Sequence, residues 1–305
     1  MADHGSEDAV ATTRVRISEA LDDFIAEQEY KGNRPATIHY YRSNLDRFTT
    51  GTGVIYLDEL DEARVRTWLL SHRKLSPNTI ATYDRSIRVF AGWLHRRGYL
   101  TSNPLATLPK PRGKSMEIVT FTHDEVRAMI AHAKSRRQPM RDVALLTLLL
   151  DTGLRIGEAT SLRLAQINWQ GGWLTVDGKT GERSVPFGHK SKRALRRYID
   201  LERKASAVSE QTVFLARGGR PMRVGTATHH VIRIAKAVKV AATKLGPHTF
   251  RHTFAVEFIR NGGDAFTLQR LLGHSTLEMT RRYVHLANSD LAAAHKRFGP
   301  ADKLL

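Results

Sequence analysis

Six residues in the second half of the chain are of the types that transesterification at a phosphodiester requires. Guanidinium groups bind non-bridging phosphate oxygens bidentately and neutralise the charge that builds in the transition state. A tyrosine hydroxyl is a weak nucleophile that needs help from a base or from nearby cations, and a lysine can protonate the leaving oxygen. In chain order the six residues are Arg155, Lys179, His248, Arg251, His274 and Tyr283.

The local sequence predicts how four of these side chains are presented. Arg155 lies between the end of one predicted helix and the start of the next, where free N–H groups favour a phosphate. His248 and Arg251 are three residues apart and therefore share one face of a helix. Lys179 lies at the Gly-Lys-Thr-Gly tip of a predicted hairpin over residues 173–186. We expect folding to gather all six residues around a single phosphorus atom.

The hydrophobic pattern of the first hundred residues predicts a small helical domain. Apolar residues three and four apart predict one helix over residues 17–28 and another over residues 57–70. Two similar segments open with Pro35 and Pro77, and proline suits the first turn of a helix.

The rest of the chain predicts a mixed α+β domain with a small antiparallel sheet. Thr122 and Glu125 form a capping box, which predicts that a helix begins there. Residues 141–150 predict a largely apolar helix, and residues 212–216 predict one strand beyond the hairpin. The fold class is therefore mainly α.

Length and proline content predict two domains. The chain has 305 residues, and a domain typically takes ~150 residues. Three prolines and a glycine between residues 103 and 114 resist regular structure. We expect a disordered tail over residues 1–13, a helical domain over residues 14–102, a linker over residues 103–114 and a mixed α+β domain over residues 115–305.

Composition narrows the class of protein. The net charge of +18 predicts a polyanionic partner, most commonly nucleic acid. The absence of cysteine excludes disulfides, thiolate catalysis and cysteine-bearing zinc sites. The first ten residues lack the apolar core of a signal peptide, and the most apolar run, residues 143–150, is too short to cross a bilayer. We therefore expect a cytoplasmic protein.

The motifs that carry the six residues resemble those of one family. Thr-Gly-Leu-Arg-x-x-Glu, a lysine between two strands, His-x-x-Arg, Leu-Gly-His and Thr-x-x-Tyr-x-His occur here in one order. This set resembles the tyrosine recombinases, the phage-integrase family. The resemblance covers the whole of the second domain, the family's catalytic domain. It extends more loosely to the first, which resembles the family's core-binding domain.

The resemblance implies an activity and its partners. It implies a site-specific DNA recombinase that cleaves and rejoins strands through a covalent 3′-phosphotyrosine intermediate, for integration, excision or dimer resolution. It also implies a homo-tetramer on paired sites in double-stranded DNA, with no metal and no other cofactor.

The resemblance further implies a role for each residue that contacts the phosphate. Arg155 and Arg251 would clamp the scissile phosphate, and His274 would donate a hydrogen bond to one of its oxygens. Glu158, in the same motif as Arg155, would be a structural partner that orients nearby groups.

The remaining roles concern the bonds that form and break. Tyr283 would become joined to the DNA 3′-phosphate, while His248 assists proton movement at this nucleophile. Lys179 would protonate the 5′-hydroxyl leaving group. The free 5′-hydroxyl of another strand then attacks, so the energy of the phosphodiester bond is retained.

Basic residues away from the six predict contacts to the DNA backbone. Phosphate contacts supply affinity that falls with salt but little sequence specificity, and the same charges also occur on ordinary solvated surfaces. The candidates are Arg42, Arg85 and Arg88 in the first domain and Lys190 and Arg193 in the second.

Two short motifs resemble those of other sites, a zinc site and a nucleotide-binding loop. His248 and His252 have a zinc-ligand spacing, but Thr249 stands where the His-Glu-x-x-His motif needs glutamate. The Gly-Lys-Thr triplet resembles a phosphate-binding loop, but Trp173 replaces the earlier glycine. We therefore predict no metal site and no nucleotide-binding loop.

Three alternative functions remain open to experiment. A type IB topoisomerase-like enzyme relaxes supercoils with similar residues, so a recombinant product from two-site DNA distinguishes it. A non-catalytic DNA-binding protein would form no covalent adduct with nicked DNA. A metal-dependent nuclease would lose its activity in excess chelator.

Overall fold

The chain divides into two compact units, residues 1–116 and 117–305. The computed structural model describes residues 14–113, 118–178, 181–286, 295 and 299. Each unit buries its own hydrophobic core. The predicted tail, residues 1–13, lies outside the described residues. No helix in the described ranges is long and apolar enough to cross a membrane.

The first unit is helical, as the hydrophobic pattern predicts. The single helix predicted over residues 57–70 is divided, because Leu60 is extended and the Asp61 carboxylate accepts a hydrogen bond from the backbone N–H of Arg64. A 3₁₀ turn at Leu57–Glu59 therefore precedes the third helix. The four helices are α1 (Ile17–Tyr30), α2 (Pro35–Thr52), α3 (Glu62–Ser71) and α4 (Pro77–Arg96).

Aromatic side chains hold these helices together. Phe24 of α1 meets Phe90 and Trp93 of α4 edge to face, with ring centroids 5.4 Å apart in both pairs. Phe48 of α2 meets Trp68 of α3 in the same geometry. Such pairs add roughly 0.5–1.5 kcal/mol beyond the burial of their area.

The predicted linker packs against α4 along its first part. Leu105 is 1% exposed and Leu108 is 8% exposed within the core of the first unit. The guanidinium of Arg88 donates to the carbonyl oxygens of both residues at 2.8 Å, and to that of Pro109 at 3.2 Å. Its Nε also binds Asp84 at 2.8 Å. Arg88 therefore fastens the 105–109 segment to its own unit.

The second unit is mixed α+β, and it contains the small antiparallel sheet that the sequence predicts. The three strands pair in chain order, β1 (Ile167–Asn168), β2 (Trp173–Gly178) and β3 (Gly181–Pro186). The helices are α5 (His123–Lys134), α6 (Pro139–Thr152), α7 (Ile156–Ser161), α8 (His189–Leu201), α9 (Val224–Ala237), α10 (Pro247–Arg260), α11 (Ala265–Leu272) and α12 (Leu277–Leu286).

Of two local predictions in this unit, one is confirmed and the other is wrong. Thr122 and Glu125 form the predicted capping box at the start of α5. The predicted strand over residues 212–216 is wrong, because Thr212 and Leu215 form only isolated bridges. The backbone N–H of Leu215 donates to the Tyr198 hydroxyl instead of to a neighbouring strand.

The apolar helix α6 runs antiparallel to α8. At its start, the Glu202 carboxylate that follows α8 accepts hydrogen bonds from the N–H groups of Met140 and Arg141. At its end, the Asp151 carboxylate accepts one from the N–H of Gly188, just before α8. The last turn of α6 is thereby fixed where Arg155 follows it in the chain.

Candidate active site

Gly153 sets the position of Arg155. It ends α6 in a left-handed conformation with φ of 62°. A Cβ added there would lie 2.4 Å from the Phe254 ring, so only glycine fits. Arg155 then precedes α7, and its Nη1 donates to the Glu158 carboxylate at 3.0 Å.

Glu158 holds two guanidiniums at once. Its carboxylate accepts from Arg155 and also from both terminal nitrogens of Arg183, at 3.0 and 2.8 Å. Burial alone would raise the pKa of Glu158, but the hydrogen bonds from Arg183 and Arg155 hold that pKa below its ordinary value. The expectation that Glu158 orients neighbouring groups agrees with this geometry.

Arg183 is a residue that sequence reasoning missed. It lies on β3, and its Nε donates to the carbonyl oxygen of Leu271 at 3.0 Å. Glu158, in the same motif as Arg155, indicated that a partner cation would be needed. Its position in the sequence does not show which of the chain's many arginines provides that cation. Arg183 joins the hairpin to the end of α11.

Arg251 is the most enclosed guanidinium of the cluster. It lies on α10, is 4% exposed, and donates to the carbonyl oxygens of Gly153 at 2.9 Å and Leu272 at 2.6 Å. Arg155 Nη1 reaches the same Leu272 oxygen at 3.5 Å. Burial and the charge of Arg155 lower the pKa of Arg251 to about 10, so it remains a cation at neutral pH.

His274 and Tyr283 stack beside these guanidiniums. Their rings are nearly parallel, with an interplanar angle of 13° and centroids 6.2 Å apart. His274 Nδ1 and the Thr280 hydroxyl are hydrogen-bonded at 2.9 Å. Burial, helped by Arg251 and Arg155, lowers the pKa of His274 to about 4, and the ring is therefore neutral near pH 7.

The Tyr283 phenol is enclosed and has an imidazole partner. Tyr283 is 5% exposed, and its hydroxyl lies 2.9 Å from His252 Nδ1. Burial raises the pKa of Tyr283, while Arg251, Arg282 and Arg155 act in the opposite direction. The sequence analysis considered His252 only as a possible zinc ligand. Its position directly after Arg251 on α10 could have indicated that it belongs to the site.

His248 and Lys179 are the remaining two of the six predicted residues. His248 lies near the start of α10 and is exposed, and partial desolvation by its neighbours together with the charges of Arg251 and Arg155 lowers its pKa. Lys179 lies outside the described residues. The ends of its hairpin, Gly178 and Gly181, pair with each other, and a Cβ added at Gly178 would lie 2.9 Å from the Arg183 guanidinium.

The five basic residues predicted to contact DNA differ in their exposure and in their bonding partners. Arg42 pairs with Asp22 at 2.6 Å, whereas Arg85 is exposed on α4. Arg88 is engaged within its unit, which gives it a structural role. Lys190 and Arg193 are exposed on α8, whose other cations are Lys192, Arg196 and Arg197.

No group of three or more metal-ligating side chains occurs among the residues that the structure describes. The arrangement instead offers arginine cations, neutral imidazoles and a phenol. Those groups suit the binding of a phosphate and nucleophilic attack on it.

Comparison with known proteins identifies the family. A sequence model of the phage integrase family matches residues 120–290. The tyrosine recombinase XerC of Oceanobacillus iheyensis is 30% identical over 296 residues, covering 92% of this chain and 95% of the relative.

Solved structures show the same fold. The Tn1549 transposon integrase in complex with transposon right end DNA has a TM-score of 0.78 at 19% identity, covering 93% of this chain and 99% of the other. A lambda integrase dimer bound to a COC′ core site has a TM-score of 0.73 at 19% identity, covering 89% and 77%. Because the family model spans over half of the chain and the XerC similarity nearly all of it, the chain belongs to the phage integrase family and is a tyrosine-type site-specific DNA recombinase.

Proposed function

We propose that this recombinase cleaves and rejoins double-stranded DNA through a covalent 3′-phosphotyrosine formed at Tyr283. The observation that carries the proposal is the cluster in which Arg155 and Arg251 share the Leu272 carbonyl, the His274 ring stacks on the Tyr283 ring, and the charges of both guanidiniums act on the Tyr283 phenol. The phenol is protonated at rest because burial raises the pKa of Tyr283, and the nearby cations reduce the cost of ionising it as it attacks.

The two guanidiniums keep hydrogen-bonding capacity for a phosphate. Each terminal nitrogen of a guanidinium carries two N–H groups. Arg251 uses one from each terminal nitrogen, for the carbonyls of Gly153 and Leu272. Arg155 donates through Nη1 to Glu158 and Leu272. Among the residues that the structure describes, the second N–H of each Arg251 terminal nitrogen and the Nη2 of Arg155 are left for non-bridging oxygens. Arg155 and Arg251 would thus neutralise the charge that develops on the phosphate.

The bonds then change in one displacement. The Tyr283 oxygen forms a bond to phosphorus, and the bond from phosphorus to the 5′ oxygen breaks. Lys179 supplies the proton that the leaving 5′ oxygen takes up, and His274 donates a hydrogen bond to a phosphate oxygen. The phenol proton leaves Tyr283 as its oxygen attacks, and His248 assists this transfer. Attack by a 5′-hydroxyl of another strand reverses these changes and releases Tyr283.

The cationic side chains of α8 support a DNA-backbone contact there. Lys190 and Arg193 are exposed, and Arg193 borders an open cavity of about 640 Å³ together with Lys192, Arg196 and Arg197. In the first unit, Arg85 is an exposed candidate, and Arg42 is a candidate that pairs with Asp22 through one terminal nitrogen. These contacts would provide affinity with little sequence specificity.

Assembly and location follow from the DNA substrate. The lambda integrase of the structural comparison was solved as a dimer bound to a core site. We extend this to a homo-tetramer on paired sites in the cytoplasm. Its outcome would be integration, excision or dimer resolution.

A nicked duplex that carries the recognition site tests this proposal. Cleavage beside the nick releases a short fragment, so the covalent adduct cannot be reversed and accumulates. Wild-type protein should form an adduct that survives denaturation, and Tyr283→Phe should bind the same DNA but form none. An adduct of equal yield with Tyr283→Phe would contradict the proposal, and a recombinant product from two-site DNA separates recombination from relaxation.

A further inference from the structure

We propose that His252 is a positioning residue for the nucleophile, whose Nδ1 accepts the hydrogen bond of the Tyr283 phenol and fixes the direction of its oxygen. This inference rests on the proposed function of Tyr283. It gives His252 a role distinct from those of the six residues that the sequence motifs identify.

The geometry connects two helices through this pair. His252 lies on α10, next to Arg251, and Tyr283 lies on α12. The Nδ1-to-hydroxyl distance is 2.9 Å, and the ring centroids are 5.7 Å apart at an angle of 44°. His274 stacks on the same phenol ring. The stack restrains the plane of the ring, and the hydrogen bond restrains the hydroxyl, so the phenol oxygen has one preferred orientation.

The charge state of His252 suits an acceptor. The ring faces His248 and Arg251 of α10, Arg282 and Tyr283 of α12, and His274. Burial, with His248 and Arg251, lowers the pKa of His252 to about 4. A neutral imidazole carries one nitrogen without a proton, which can accept the phenol hydrogen while the oxygen lone pairs stay available for attack.

The two histidines of α10 would therefore have different tasks. His248 is placed with Arg155 and Arg251, whose charges act on it. His252, one turn further along the helix, contacts the phenol hydroxyl directly. Holding a nucleophile in an attacking orientation raises its rate because less freedom is lost in reaching the transition state.

Three substitutions separate the hydrogen bond from the bulk of the ring. Asparagine places an amide near the position of Nδ1, and glutamine places one near the position of Nε2. Leucine has no group that can form a hydrogen bond. We expect His252→Leu and His252→Gln to slow single-turnover cleavage of the nicked duplex roughly tenfold, the equivalent of one hydrogen bond. His252→Asn should stay within about threefold of wild type. His229→Leu, at an exposed position on α9, is the matched control.

A modified substrate distinguishes a role of His252 at the attacking tyrosine from a role at the leaving 5′ oxygen. A sulfur in place of the bridging 5′ oxygen leaves without needing a proton. The Lys179→Ala variant should regain cleavage of this substrate, whereas His252→Leu should remain roughly tenfold slower than wild type. DNA affinity and thermal midpoint, measured on every variant, establish that each one is folded.

The outcomes are distinct. Wild-type cleavage rates in folded His252→Leu would overturn the positioning role. So would equal rates for the asparagine and glutamine variants, or recovery of His252→Leu on the sulfur substrate. If wild-type protein itself forms no adduct, the proposed function fails and the test of His252 does not arise.

Discussion

The guanidiniums of Arg155 and Arg251 share one acceptor, the carbonyl oxygen of Leu272, at 3.5 and 2.6 Å. These arginines come from the α6–α7 junction and from α10, and the carbonyl ends α11. The C-terminal carbonyls of a helix carry partial negative charge and favour cations. The end of α11 thereby holds two like charges close together before any phosphate arrives.

Loss of the Glu158 charge should weaken this arrangement. Glu158→Gln leaves the cations of Arg155 and Arg183 without their shared carboxylate, and breaking a buried ion pair from one side costs about 3 kcal/mol. We expect the free energy of unfolding in urea to fall by that amount. Glu278→Gln, at an exposed glutamate 3.9 Å from Arg281, is the control and should change it by under about 0.5 kcal/mol. Similar effects for both substitutions would show that the Glu158 pair contributes little.

Arg183 should matter for the rate of cleavage more than for DNA binding. Arg183→Lys keeps the charge but cannot span the two Glu158 oxygens and the Leu271 carbonyl together. The displaced carboxylate then repositions Arg155, and we expect adduct formation to slow roughly tenfold with DNA affinity within about twofold. Single-turnover cleavage and filter binding measure the two quantities. A parallel loss of affinity would instead identify Arg183 as a direct DNA contact.

Acidification should destabilise the second unit through His274, which is buried, and His252, which is half-buried. The pKa values of His252 and His274 are about 4 in the folded protein, below the ordinary 6.5. Between those values the unfolded chain binds more protons, so the free energy of unfolding falls as pH decreases through that window. Each histidine contributes a slope of at most about 1.4 kcal/mol per pH unit.

Urea unfolding between about pH 7 and pH 4.5 measures this slope. His252→Asn should make it shallower, because asparagine does not titrate, whereas the exposed His229→Asn should leave it unchanged. An unaltered slope in His252→Asn would mean that the ring takes up a proton as easily in the folded protein as in the unfolded one.

The α8 cations should contribute to the salt dependence of DNA binding. Each phosphate contact that is removed lowers the slope of log K against log salt by roughly 1. We expect Lys190→Ala and Arg193→Ala each to do so, and to weaken binding to specific and unrelated DNA alike. Lys236→Ala, on the exposed part of α9, controls for loss of net charge. Equal slopes in all variants would show that α8 is an ordinary solvated surface.

Local sequence signals predicted much of the scaffold. The apolar run that ends at Gly153, the capping box at Thr122 and the pairing of the two hairpin strands as far as Gly178 and Gly181 each depend on a few neighbouring residues, and the structure has all three. The prediction over residues 212–216 was wrong because buried β-branched and aromatic residues also suit a loop whose N–H groups find separate acceptors, such as the Leu162 carbonyl for Val213 and the Tyr198 hydroxyl for Leu215.

Pairings between distant residues could not be predicted. Arg183 lies 25 residues from Glu158, and His252 lies 31 residues from Tyr283. Spacing rules describe one helix or one strand and do not reach across elements. Arg88 shows the same limit, since its sequence neighbours resemble a DNA-binding surface while its guanidinium binds the backbone of residues 105–109.

Mass-spectrometric mapping of the residue joined to DNA tests the account most directly. After trapping on a nicked duplex and digestion with trypsin and nuclease, the nucleotide should be attached to Tyr283. Attachment to any other residue, or an adduct unaffected by Tyr283→Phe, would contradict the account.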